Sequence, residues 1–107
     1  MGRMAVACLA LGLVTAAKSA QAMVVSPEAG ADLAARWCAD CHVVTPSGAG
    51  TDQAPSFAAI ARQRTPGEIR ASLQKPHARP MRGFTLSAPE IEDVAAYIVS
   101  LDERAER

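Results

Sequence analysis

Residues 38–42 read Cys-Ala-Asp-Cys-His, and in a chain of 107 residues with three cysteines and two histidines this is the densest group of reactive side chains. Two thiols separated by two residues and followed at once by an imidazole form the C-x-x-C-H pattern by which haem is attached covalently. On a helix, residues three apart share a face. Both thiols can then add to the two vinyl groups along one porphyrin edge, while the adjoining His42 reaches the iron. At typical residue usage a chance match in a chain of this length has odds on the order of one in a thousand, so the pattern is specific.

Other chemistries for the pair need partners that are missing. A zinc site requires two further ligands, and His77 stands alone, with no cysteine or histidine at ligand spacing. A dithiol redox centre belongs in a strand-helix-strand setting, and no stretch of the chain reads as a convincing strand. A Cys38–Cys41 disulfide would close so small a loop that it would remove little chain entropy.

The remaining cysteine, Cys8, lies in a different kind of segment. Arg3 precedes an uncharged apolar run over residues 4–17, Lys18 follows, and Ala20-Gln21-Ala22 supplies a small-x-small triplet. These are the three regions of a secretory signal peptide, with cleavage expected after Ala22. The run is shorter than the about 20 apolar residues that a bilayer span needs, so the expectation is a periplasmic protein with no transmembrane anchor after cleavage. There is no twin arginine, which implies export as an unfolded chain with the cofactor added on the far side. What remains is one domain, residues 23–107.

A domain this small usually needs a staple beyond its own core. Aromatics make up only 4% of the chain, namely Trp37, Phe57, Phe84 and Tyr97. A bound haem would supply the missing filling.

The elements that must position the motif are helical. Ser26-Pro27-Glu28 is a helix start, and Gly30, Leu33, Ala34, Trp37, Cys38 and Cys41 recur at three- and four-residue spacing, which predicts a helix from about 28 to 41. Residues 43–55 are dense in turn formers and form a loop. Phe57, Ile60 and Ala61 give a short helical turn ending near Arg64. Thr65-Pro66-Gly67-Glu68 is a capping box opening a helix with Ile69 and Leu73 on one face, and Lys75-Pro76 ends it. A second loop runs from 76 to 85. Ser87-Ala88-Pro89-Glu90 is another capping box, and Ile91, Val94, Ala95, Ile98 and Leu101 form the cleanest helical stripe, in a helix reaching about Glu103. The fold class is all-α, with three to four short helices.

Over residues 28–103 the chain resembles the class I monohaem cytochromes c of the small bacterial periplasmic type. The resemblance implies the cytochrome c fold, its helices wrapped around one covalently bound haem c. It implies that Gly30, eight residues before Cys38, packs against Tyr97 of the last helix. It implies that the carbonyl of Pro55 holds the second imidazole nitrogen of His42, and that Phe57 packs on the haem edge. It implies a sixth ligand from the loop before the last helix, where Met81 stands. The chain departs from the family at Ala34, often an aromatic, so the helix contact is expected to lean on Leu33 or Trp37. It also lacks the common Met-Pro pair, since Met81 is preceded by Pro80 and followed by Arg82-Gly83.

Met81 has support of its own. Met1 and Met4 leave with the leader and Met23 would be the mature terminus, so Met81 is the one internal methionine of the mature chain. His/Met ligation is usual in electron-transfer cytochromes c. His77, four residues earlier, is the rival ligand and would give a bis-histidine haem of lower potential.

Charge is balanced overall, 11 basic against 11 acidic residues, but not evenly spread. Between 43 and 86, Arg62, Arg64, Arg70, Lys75, Arg79 and Arg82 face only Asp52 and Glu68, whereas the last segment is acidic. Such a basic block around the haem mouth would steer an acidic redox partner; ordinary solvation is the alternative. A slightly acidic mature chain with no aromatic stacking surface argues against nucleic acid. The expectation is therefore a one-electron carrier between periplasmic or membrane redox enzymes, not an enzyme, with no small-molecule substrate. The alternatives are a haem enzyme or gas sensor with a labile sixth ligand, and a dedicated electron-transfer subunit of a periplasmic dehydrogenase.

Overall fold

The computed structural model describes residues 12–13, 24–75 and 85–105. Nearly all of the expected leader, and His77, Met81 and Phe84 of the expected second loop, lie outside the described residues. Among the described residues there are four helices and no strand: α1 (Pro27–Trp37), α2 (Phe57–Gln63), α3 (Pro66–Gln74) and α4 (Ala88–Ala105). None of these helices is long and apolar enough to cross a membrane.

Helix α4 is the hub, and α1, α2 and α3 each pack against it, α1 most extensively. It opens with a reciprocal cap: the Ser87 backbone N–H donates to the Glu90 carboxylate at 2.7 Å, and the Glu90 N–H donates to Ser87 Oγ at 3.4 Å. Ile91, Val94, Ala95, Ile98 and Leu101 are all buried, as their spacing predicts. Helix α3 opens on the Thr65–Glu68 capping box, with both halves of the exchange present. It closes at Lys75, whose φ of −84° and ψ of 146° are the extended geometry preferred before a proline. Arg70 on α3 is ion-paired to Glu92 on α4 at 3.0 Å.

Helix α1 starts at Ser26, whose Oγ accepts from the Ala29 N–H at 3.1 Å while its own N–H donates to Asp93 Oδ1 at 2.8 Å, pinning the helix start to α4. The face turned to α4 is made of small residues. A Cβ on Gly30 would stand 2.0 Å from the carbonyl oxygen of Asp93 and 2.9 Å from the backbone nitrogen of Val94. The glycine is thus required by the backbone of α4, on the helix that also carries Tyr97. One turn on, Ala34 is fully buried. Leu33 packs at the edge of the core and Trp37 is 52% exposed, so the helix crossing rests on Gly30 and Ala34. Trp37 does not take the place of the absent aromatic, because backbones this close leave no room for one.

The helix also ends earlier than its apolar spacing predicts, at Trp37 rather than near residue 41. Cys38 caps it, donating to the Ala34 carbonyl at 2.9 Å, with its φ already drawn to −113°. Ala39 and Asp40 carry no helix-breaking signal, and the cysteines continue the stripe only in spacing.

Candidate functional site

The motif folds as a tight turn. The Cys38 carbonyl accepts both the Cys41 N–H at 3.2 Å and the His42 N–H at 2.9 Å. Cys38 and Cys41 therefore come together through this turn at the helix end, not as two positions on one helix. Both are free thiols and both are buried. Burial pushes the Cys38 thiol up to about 11, so at neutral pH it stays protonated in the packed chain.

His42, half-buried, is held through Nδ1, which lies 2.7 Å from the carbonyl oxygen of Pro55. A carbonyl only accepts, so Nδ1 carries the proton and the lone pair is on Nε2. Pro55 reaches this position across a loop tied down at both ends. On its far side Ser56 caps α2 by accepting from the Ala59 N–H at 3.1 Å, and the Phe57 N–H donates to the Val43 carbonyl at 2.9 Å. On its near side Thr51 organises the turn: its hydroxyl donates to the Cys41 carbonyl and accepts from the N–H groups of Gln53 and Ala54, each at 3.2 Å. The Thr51 N–H in turn donates to the Ala54 carbonyl at 3.1 Å.

Phe57 is buried with its ring 5.1 Å from the His42 imidazole and 6.4 Å from the Tyr97 ring. The Tyr97 hydroxyl donates to the Val44 carbonyl, so α4 grips the chain directly after the turn that carries His42. Thr51 and Tyr97 were not legible as members of the site. Thr51 sits in a turn-rich stretch without periodicity, where the one signal is a hydroxyl residue followed by Asp-Gln-Ala-Pro. Cys38, Cys41, His42, Pro55 and Phe57 are brought together; Met81 lies outside the described residues. Among the described residues no three His, Cys, Asp or Glu side chains gather to hold a bare metal ion.

A family described as "Cytochrome C oxidase, cbb3-type, subunit III" matches residues 25–98. The chain is also 42% identical over 96 residues to Cytochrome c-552 of Bradyrhizobium diazoefficiens, covering 87% of this chain and 91% of that protein. The chain belongs to the cytochrome c family. As a monohaem c-type cytochrome it carries electrons on a covalently bound haem c. No solved structure matches it. The residues present in this cytochrome fit that group: two buried free thiols on one turn, beside an imidazole whose Nε2 lone pair is left for iron. Of the basic block, Arg62 and Arg64 are exposed at the end of α2, whereas the charge of Arg70 is met by Glu92.

Proposed function

We propose that this cytochrome is a one-electron carrier between periplasmic or membrane redox enzymes, its haem held by thioethers from Cys38 and Cys41 and ligated by His42 and Met81. The observation that carries the reading is the 2.7 Å bond from His42 Nδ1 to Pro55. It fixes the tautomer and the plane of the ring, and a donated N–H makes the imidazole a more basic donor at Nε2. When bound, the haem supplies the reversible ferric/ferrous couple. Phe57 walls one side of the histidine with an apolar ring. With His42 and Met81 both holding the iron, its coordination would stay closed in both oxidation states, which suits a carrier rather than an enzyme.

The signal peptide is proposed as residues 1–22, and residues 23–107 as the exported domain. Export unfolded suits the thiol chemistry. A Cys38 thiol that stays protonated when packed is a poor nucleophile, so attachment belongs to the unfolded chain. Mass spectrometry of the exported protein tests both assignments, with an amino terminus at Met23 and the added mass of one haem expected.

His77 is the rival sixth ligand, and a haem enzyme or gas sensor is the reading if Met81 does not ligate. A dedicated electron-transfer subunit is a second reading, favoured by the oxidase-subunit description of the matching family. Gel filtration of the native protein separates the two: a carrier elutes at the size of one copy of residues 23–107, whereas a subunit co-elutes with an oxidoreductase.

A further inference from the structure

Thr51 joins the attachment turn to the loop that presents Pro55. Its hydroxyl donates to the Cys41 carbonyl, lies 3.4 Å from the Ala54 carbonyl oxygen and accepts from the Gln53 and Ala54 N–H groups, and its backbone N–H donates to the Ala54 carbonyl. Cys41 directly precedes His42 and Ala54 directly precedes Pro55. One side chain therefore references both partners of the His42–Pro55 bond to a single point. Little else holds that side of the loop. Residues 45–53 are exposed, and Gly50 fits beneath it only because it has no side chain: a Cβ there would meet the Ala54 carbonyl oxygen and the Ser56 nitrogen at 3.1 Å.

We propose that Thr51 is a positioning residue for the axial histidine, keeping the Pro55 carbonyl on His42 Nδ1 and thereby setting the basicity of the ligand and the reduction potential. This rests on the reading of His42 as an iron ligand. Removing the hydroxyl leaves the Gln53 and Ala54 N–H groups and the Cys41 carbonyl without that partner, and the Pro55 carbonyl is then referenced to the loop only through the Thr51 N–H bond to Ala54 and through the start of α2. A His42 that donates its N–H less firmly is a weaker donor at Nε2, stabilises ferric iron less, and lets the potential rise.

The experiment compares the holoprotein with Thr51→Val, Thr51→Ala and Thr51→Ser. Its readouts are the reduction potential and the solvent exchange rate of the His42 Nδ1 proton by NMR. Valine and alanine should raise the potential and speed the exchange roughly fivefold, the equivalent of one neutral hydrogen bond; serine, which keeps the hydroxyl, should restore both. Thr51 is exposed, so neither replacement has to force its way into the core. In the unmutated protein the Gln53 and Ala54 amides should exchange in step with the His42 ring proton. A ring proton that outlasts those amides by more than about tenfold would overturn the proposal, as would potentials and exchange rates untouched by valine and alanine. The ligand reading has its own readout: the His42 ring proton should be strongly shifted by the paramagnetic ferric iron. A shifted proton indifferent to Thr51 rejects the proposal alone, and an unshifted one rejects the ligand as well.

Discussion

Gly30 and Asp93 stand backbone to backbone, with the space for a Cβ on Gly30 already filled by the Asp93 carbonyl 2.0 Å away. The start of α1 is tied to the same residue, through the Ser26 N–H on Asp93 Oδ1. The crossing that sets the direction in which α1 delivers Cys38 thus depends on one missing methyl group. Gly30→Ala should destabilise the holoprotein by about 3 kcal/mol or more, because backbone cannot yield as a side-chain tip can. Gly67→Ala on α3, where a Cβ would meet nothing within 4 Å, should cost nothing. Denaturant unfolding of the two variants checks the contrast, and equal midpoints would contradict it.

The cap on α3 gives a pH dependence with a definite sign. Hydrogen bonds from the Thr65 backbone N–H and hydroxyl hold the Glu68 carboxyl below its usual 4.5. A carboxyl depressed in the folded state adds stability that is present above 4.5 and lost as pH falls through its folded value. NMR titration should find the Glu68 midpoint below 4.5 and, in Thr65→Ala, shifted only part of the way back, because the backbone N–H remains; a parent midpoint at or above 4.5 would reject the cap as its cause.

Both capping boxes were legible because they are local, four residues carrying donor and acceptor together. The buried face of α4 was legible because one helix lies against three others and its stripe is unbroken. The end of α1 was not, since Ala39 and Asp40 tolerate a helix and the chain turns at Cys38 without a local breaker. The requirement for Gly30 was visible, but how closely it approaches the Asp93 backbone was not, because a glycine in a sequence does not give the separation of the two helices. That Cys38, Cys41, His42, Pro55 and Phe57 stand together was legible from the motif and the resemblance. Thr51 escaped because its bond to Cys41 spans ten residues of loop with no repeating pattern.

Attachment to an unfolded chain predicts thiol reactivity. The haem-free chain lacks most of its aromatic filling and should be largely unfolded, as when a group binds only the native state. Its Cys38 should then be alkylated at pH 8 at the rate of a free peptide cysteine. In a folded haem-free chain the thiol, pushed up to about 11 by burial, would react far more slowly, and such a rate would show that the packing survives without haem.

Docking is tested through charge. Reversing Lys75 and Arg79 to Glu should slow electron transfer to an acidic partner at low ionic strength and flatten its salt dependence, with little change in potential. Rates identical to the parent at low salt would mark the block as a solvated surface. Arg70 is the wrong residue to reverse, because it would also break the pair with Glu92.

The sixth ligand is where a carrier separates most sharply from an open-site enzyme or sensor. The measurement is the optical spectrum of the ferric holoprotein at the red edge of the visible, where sulfur bound to haem iron gives a weak charge-transfer band. The band should be present in the parent and in His77→Ala, and Met81→Ala should abolish it while lowering the potential, since the thioether favours ferrous iron. A parent protein without the band, or a band that survives loss of Met81, would contradict the carrier with His42 and Met81 as its ligands.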